Sequence, residues 1–286
     1  MMHSSMTRNF TISLITGWLL IFGILPILLL VGTSVLEQDP VDLVRFRLSF
    51  EAYRQLMDPA YLDVLVRSLN LAAVTTGLCL LVGFPFAWWL GQMARQWRTP
   101  IMILLMIPFW TNSLVRTYAI RLVLGRNGLI NTLLLSTGIV DTPIRFLYTD
   151  LAVILGLFYL MIPFMILPLY ASIEKLDKRL LEASRDLGAG LRTTMVRVVW
   201  PLTLPGIVAG CIMVFVPTMG LFYVATLLGG ARQLLVGNLI QQQFLNSRDW
   251  PLGSATSLLL IGLMAFLLAV YALIMKRIAQ RMTGAS

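Results

Sequence analysis

A chain of 286 residues is long enough for one or two soluble domains, but 58% apolar residues, 12% charged residues and a mean hydropathy of +0.84 exclude an ordinary globular protein. The net charge of +9 does not point to nucleic acid, because the basic residues fall in short clusters between apolar runs rather than along one surface. His3 stands at the extreme N-terminus, and Cys79 and Cys211 lie inside apolar runs without metal-ligand spacing. That leaves no basis for histidine catalysis, a zinc site or a disulfide framework, and the cysteines read as small buried hydrophobes.

The apolar runs, in chain order, predict six membrane helices over residues 12–36, 68–93, 100–118, 151–172, 205–228 and 255–275, each near the roughly 20 residues that cross a hydrocarbon core. The first is longer than the core of a signal peptide and lacks an Ala-x-Ala-like cleavage site, so it is expected to stay as a helix. The third has the shortest charge-free core and is followed at once by Arg116. Two further stretches, 127–140 and 233–247, are too short or too polar to span. They read as interfacial or re-entrant helices on the outer side, with Gln241, Gln242 and Gln243 keeping the second away from lipid. Pro26, Pro85, Pro108, Pro163, Pro168 and Pro217 fall inside the runs and are expected to kink them.

Orientation follows from the flanking basic residues. With the N-terminus inside, the cytoplasmic segments hold Arg8, then Arg95 and Arg98, then Lys175, Lys178, Arg179, Arg185, Arg192 and Arg197, then Lys276, Arg277 and Arg281. The outer arginines, including Arg45, Arg47, Arg54, Arg67, Arg145, Arg232 and Arg248, are spread over longer loops. Arg116, Arg121 and Arg126 run against the bias. The expectation is a multi-pass protein with both termini in the cytoplasm.

The longest cytoplasmic segment, 173–204, contains Leu180-Leu181-Glu182-Ala183-Ser184-Arg185-Asp186-Leu187-Gly188-Ala189-Gly190 and runs on to Trp200-Pro201. Asp177 is placed to cap a short helix whose Leu180, Ala183, Ser184, Leu187 and Leu191 share one face, with Glu182, Arg185 and Asp186 around it. Gly188 and Gly190 tolerate positive φ and are expected to end that helix and return the chain to the membrane. On physics alone the segment is either a solvated charged loop or an amphipathic helix offered to a groove.

This segment resembles the EAA signature of ABC-importer permeases: Glu182, Ala183, Gly188 and Pro201 match at the family's spacings, while Ser184, Val198 and Trp200 depart from it. The resemblance implies a coupling helix that inserts into a cleft on a separate ATPase, with Glu182, Ala183 and Gly188 carried over and Arg185 and Asp186 added by position. No Gly-x-x-x-x-Gly-Lys-Ser/Thr loop occurs in the chain, so ATP and Mg are expected on the partner ATPase and no cofactor on this subunit.

Other stretches resemble the first membrane subunit of bacterial spermidine/putrescine ABC importers. They are Ser68-Leu69-Asn70, Pro108-Phe109-Trp110-Thr111-Asn112-Ser113-Leu114, Asp141-Thr142-Pro143-Ile144-Arg145, Gly220-Leu221-Phe222-Tyr223-Val224 and Arg248-Asp249-Trp250-Pro251. That likeness implies Tyr53, Trp110 and Tyr271 as substrate-pathway positions. Asn112, Phe222 and Tyr223 join them on local chemistry, since aromatic faces attract a polycation. Tyr and Trp also gather at membrane interfaces for reasons of solvation, which is the competing reading, above all for Tyr53 and Tyr271. The six runs contain no Asp or Glu, so carboxylates for a polyamine would come from a partner permease and the binding protein. Arg116, Arg121 and Arg126 either face the acidic surface of a docked binding protein or belong to a permease for an anion or carboxylated solute.

The resemblance thus implies an all-α permease of the type I ABC importer class, six helices in one domain, in the inner membrane. Its implied partners are a homologous second permease, two copies of a cytoplasmic ATPase and a periplasmic polyamine-binding protein, and no nucleic acid. A membrane enzyme would need convergent acid, base or metal ligands in the runs, and none is there. A passive channel would have no use for the coupling segment.

Overall fold

The computed structural model describes residues 12–39, 42–230 and 234–283. His3, Arg8, Arg232 and Gln233, and the side chains of Lys178, Arg277 and Arg281, lie outside what is described. In chain order the elements are helix α1 (Ile12–Ser34), strands β1 (Leu36–Asp39) and β2 (Leu43–Leu48), and helices α2 (Glu51–Leu56), α3 (Pro59–Gln92), α4 (Arg95–Trp110), α5 (Ser113–Val123), α6 (Leu129–Ser136), α7 (Asp150–Glu174) and α8 (Lys178–Asp186). They continue with α9 (Leu191–Gly220), α10 (Phe222–Val224), α11 (Val236–Leu245) and α12 (Trp250–Thr283). Among the described residues, five helices are long and apolar enough to cross a membrane: α1, α3, α7, α9 and the Trp250–Leu273 part of α12. A sixth is counted if α4 and α5 form one broken span. The architecture is that of a helical membrane protein, and the antiparallel hairpin β1–β2 is an element the apolar pattern did not announce.

The apolar runs sit inside longer helices because caps lie upstream of them. Asp58 accepts the Ala60 N–H at 2.9 Å ahead of Pro59, a residue whose missing N–H costs nothing in a first turn. Asp249 accepts the Leu252 N–H at 3.0 Å and starts α12 at Trp250, and Thr149 accepts the Ala152 N–H at 3.2 Å and starts α7. Helix α9 begins at Leu191 rather than near 205. Its π-type turn Met195–Val199 comes just before Pro201, where an α-helical ladder would lose a bond in any case. The expected cytoplasmic segment 173–204 is therefore mostly helix, with irregular chain only between α7 and α8 and between α8 and α9.

Two runs read as single spans are broken. Between Trp110 and Ser113 the chain turns by 91°: Thr111 is extended and Asn112 caps α5 by accepting the Leu114 N–H at 2.8 Å. The run 205–228 breaks at Leu221 (φ −78°, ψ 60°), after which α10 and the π-type turn Ala225–Gly229 resume.

Packing divides the described chain into two compact units. One comprises the described parts of Met1–Asp63 with Leu239–Leu263, and the other those of Val64–Asn238 with Met264–Ser286. In the first, Ala52, Leu56, Leu252 and Ala255 form a small core against Tyr53 and Tyr61, and Thr33 shares a 2.6 Å hydrogen bond with Ser254. The outer arginines Arg45, Arg47 and Arg54 pair with Asp39, Glu37 and Glu51, so they are less free to bias topology than a bare count implies. Helix α1 is apolar and exposed almost all round, the state of a helix meant for lipid or another chain.

In the second unit α7 and α9 make the closest helix pair. Gly206 and Gly210, spaced as in a Gly-x-x-x-Gly pair, let the backbones meet: a Cβ at Gly206 would lie 2.6 Å from the Pro168 carbonyl oxygen, and one at Gly210 would lie 2.8 Å from Met165 Sδ. Around this seam Cys79, Val153, Leu157, Leu160, Met165, Leu169, Val214 and Leu228 are buried. Both cysteines are free, Cys79 buried and Cys211 half-buried. On the opposite flank Asn131 of α6 is fully buried and fully used. It donates to the Gly125 and Ile144 carbonyls and accepts the Ile144 N–H, which pins the segment after α6.

Candidate functional site

Helix α8 starts where Asp177 accepts the Arg179 N–H at 3.0 Å. It ends in a Schellman arrangement: the Gly188 N–H reaches the Arg185 carbonyl at 2.8 Å, and the Ala189 N–H reaches the Ser184 carbonyl at 3.0 Å. Gly188 sits at φ +76°, a conformation that costs an L-residue about 1–2 kcal/mol. Gly190 does not share this role. Its φ is −69° with extended ψ, and it stands at the N-cap of the next helix, so one left-handed residue suffices for the turn. The expectation that both glycines would end α8 is corrected to Gly188 alone.

The apolar face of α8 is only partly as expected. Leu180, Ala183 and Leu187 do lie open, Leu187 at 87% exposure, and Leu191 is exposed beside them. Ser184 instead turns inward, where its Oγ shares a 2.8 Å hydrogen bond with Thr194 Oγ1, both groups buried. One of the three residues that depart from the EAA pattern thus staples α8 to α9. Leu180, Ala183, Leu187, Thr193, Arg197 and Val198 line an open cleft of about 530 Å³ beside Gly188, while Glu182, Arg185 and Asp186 are exposed on the rest of the helix.

Beside α8 the neighbouring helix ends are tied together by Arg98, a residue that counted in the sequence only as a topology signal. Its Nε donates to the Met93 carbonyl at 2.8 Å and its Nη2 to the Gly91 carbonyl at 2.9 Å, closing the end of α3. Its Nη1 lies 3.7 Å from Glu174, which also accepts from the Tyr170 hydroxyl at 3.0 Å. Leu181 of α8 shares a small pocket with Trp88, Gln92, Arg98 and Glu174, and Trp200 lies with its ring 6.0 Å from Phe84 of α3. A displacement of α8 therefore acts on the ends of α3 and α7 through Leu181, and on α9 through Ser184.

The expected pathway residues fall into separate places. Trp110 ends the 3-10 turn that closes α4, 82% exposed at the 91° bend, with the Asn112 cap two residues on. Phe222 and Tyr223 start α10, their rings edge to face at 6.0 Å, and α10 packs on α5. The structure thus brings Phe222 and Tyr223 together, while no hydrogen bond or ring contact joins Trp110 or Asn112 to either of them among the described residues. Tyr53 belongs to the other compact unit, where its hydroxyl is 2.9 Å from Ser34 Oγ and its ring packs on the small core. Tyr271 is half-buried in α12, and no hydrogen bond or ring contact joins it to the other candidates among the described residues.

Asn238 is a residue the sequence reading passed over. Its Nδ2 donates to the Phe222 carbonyl at 3.0 Å and to Thr226 Oγ1 at 2.7 Å, and its Oδ1 accepts the Leu235 N–H at 3.1 Å. Beside it, Ser68 Oγ accepts the Val236 N–H at 2.9 Å. The bond to the Phe222 carbonyl supports the chain one residue past the break at Leu221, and the others hold the start of α11. A Gly-Asn pair opening a polar outer stretch was the only hint.

The three outer arginines do not act as a set. Arg116 is buried at 9% exposure, which corrects the expectation that it faces a docked protein from the outer surface. Arg121 lies 3.4 Å from the Tyr148 hydroxyl, and Arg126 lines an outer cleft with Arg145 and Tyr148.

Residues 83–284 match the family described as binding-protein-dependent transport system inner membrane component. The chain is 50% identical over 271 residues to the spermidine/putrescine transport system permease protein PotB of Salmonella typhimurium (strain LT2), covering 95% of this chain and 94% of that protein. It is 51% identical over 257 residues to the protein of the same name from Escherichia coli (strain K12), covering 90% and 94%. Among solved structures, a chain of a bacterial alginate ABC transporter in complex with an alginate pentasaccharide-bound periplasmic protein superposes with a TM-score of 0.76. The superposition covers 96% of this chain and 97% of that one at 14% identity, a likeness of fold alone.

Proposed function

Because this chain belongs to the inner-membrane components of binding-protein-dependent transport systems, it is a multi-pass transport subunit of a larger complex and not an enzyme, and we propose that it carries polyamines, spermidine or putrescine, through the inner membrane. It does so beside a homologous second permease, driven by two cytoplasmic ATPase subunits that hold ATP and Mg, and supplied by a periplasmic polyamine-binding protein. Both termini are cytoplasmic, which puts α8 on the ATPase side.

The observation that carries the ATP-driven part of this reading is α8. It is rigidly capped at both ends, stapled to α9 and backed by Arg98, yet it presents Leu180, Ala183 and Leu187 uncovered. Burying one such leucine stabilises a contact by about 2 kcal/mol. Glu182, Arg185 and Asp186 flank the stripe and give the docked helix its register. When the ATPases close on ATP, α8 moves as a body, and Leu181 and Ser184 pass the displacement to α3, α7 and α9.

The polyamine part rests on the two relatives of that name at half identity over nearly the whole chain, and on the aromatic residues at the helix breaks. Trp110, Asn112, Phe222 and Tyr223 offer rings and an amide to an ammonium chain, each ring contact worth about 0.5–2 kcal/mol. Uptake of labelled spermidine into vesicles holding the whole complex tests this. It should require internal ATP and binding protein and be competed by putrescine but not by sulfate or a dicarboxylate. Uptake without ATP, or competition by the anions alone, would overturn it.

A further inference from the structure

Among the described residues Arg116 is a buried cation whose chemistry nothing above uses. Its guanidinium stands 5.5 Å from the centre of the Phe109 ring, its Nε is buried without a partner, and no carboxylate is within ion-pair distance among the described residues. The group lines a cleft of about 430 Å³ whose other walls are Phe86, Trp89, Ile101, Leu105, Pro108, Tyr159 and Ile162. Leu104 and Tyr159 on its rim are exposed, so the cleft is open on one side. A guanidinium carries a positive charge, so a cation here faces an apolar hollow.

Depth decides what could neutralise it. Phe109 contacts Phe164, the rings 5.0 Å apart, and Tyr159, Ile162 and Pro163 line the same cleft. These residues lie in the middle of the 25-residue α7, roughly 13 Å or more from either end at about 1.5 Å per residue. A lipid phosphate sits more than about 15 Å from the bilayer centre, outside the hydrocarbon core. The anion must therefore be carried into the membrane on something that spans it. The exposed apolar residues of α4 and α5, Leu104, Ile107, Leu114, Val115 and Leu122, give such a partner a dry surface around the charge.

We infer that Arg116 is the intramembrane counter-ion of an Asp or Glu side chain presented by the second permease, which seats a membrane helix in the Phe86–Tyr159 cleft. The inference rests on the proposed pairing with a second permease and adds the contact that fixes its register. An unpaired arginine in this position would also repel a polycation, so the seated carboxylate makes the neighbouring pathway electrically neutral. Pairing across a desolvated interface specifies orientation as well as affinity.

The test uses the complete complex with a tag on this chain. A photo-crosslinking phenylalanine analogue at Leu104 is expected to couple to the second permease. Arg116→Glu should lower its co-purification on the order of thirty-fold, and Arg116→Lys should restore part of it. One intramembrane Asp or Glu of the second permease, changed to Arg, should rescue Arg116→Glu. Crosslinking to lipid alone, assembly of Arg116→Glu at the unsubstituted level, or failure of every reciprocal exchange would overturn the inference while leaving the importer reading intact. Protection of the Leu104 crosslink by a carboxylated solute would also overturn it, since the anion would then be a ligand. Failure of the unsubstituted chain to co-purify a second permease would instead strike the proposed function itself.

Discussion

Two arginines in the same bundle live under opposite conditions. Around Arg98 the inner helix ends are closed from within: two carbonyls and a carboxylate meet one guanidinium. Around Arg116, at mid-bundle, the same group has an aromatic ring and nothing else. A membrane protein that satisfies one buried cation fully and leaves another open has finished one region by itself and left the other for an outside group. Under the proposed function the Arg98 region is the one that transmits motion, and under the inference drawn above the Arg116 region is completed by a second chain.

The largest effect that separates them is in the isolated subunit. Arg98→Ala leaves the Gly91 and Met93 carbonyls without this donor, removes the ion pair with Glu174 and should lower stability by about 3 kcal/mol, read as a clear fall in melting temperature in detergent. Arg116→Gln loses no hydrogen bond and removes an unpaired charge, so the same measurement should show no loss, or a gain of up to about 2 kcal/mol. Equal losses in both would erase the distinction.

Gly206→Val comes next, because its branched carbon meets the Pro168 carbonyl oxygen as well as the Ser172 side chain, and the backbone atom cannot swing away. The α7–α9 seam should open at a cost of about 1–3 kcal/mol, seen as faster proteolysis between α8 and α9. Gly188→Ala places a Cβ in open space but at φ +76°, so strain alone remains, about 1–2 kcal/mol. It should fray α8 and weaken coupling to ATP more than it lowers subunit stability, and a ratio of ATPase activity to melting temperature unchanged from wild type would count against a rigid α8. Ser184→Ala is the smallest, about 1 kcal/mol from one buried hydrogen bond. A double-mutant cycle with Thr194→Val should show that the two losses are one.

What the sequence made legible follows local chemistry. Asp177 and Gly188 mark the ends of α8 because capping and positive φ depend on single residue types, and the long apolar runs mark helices because lipid leaves the backbone little choice. The same logic failed at Gly190, whose freedom is not used, and at Ser184, whose inward turn depends on Thr194, ten residues away. The bend at Trp110–Ser113 had its cap and its proline in plain sight. In an apolar run, however, Asn112 reads equally well as a ligand for substrate, and only the observed Leu114 contact separates the readings. Arg98, Arg116 and Asn238 were not legible at all, since what matters about each is which distant carbonyl, carboxylate or ring stands opposite, and periodicity carries no record of that.

The account turns on α8 coupling polyamine delivery to ATP, and the most direct measurement is ATP hydrolysis by the whole complex in lipid nanodiscs. Spermidine-loaded binding protein should stimulate hydrolysis, and Leu187→Asp, which spoils the exposed stripe without touching the bundle, should reduce that stimulation about ten-fold or more while this subunit still melts at the unsubstituted temperature. Stimulation that survives Leu187→Asp undiminished, or that spermidine never produces, would contradict it.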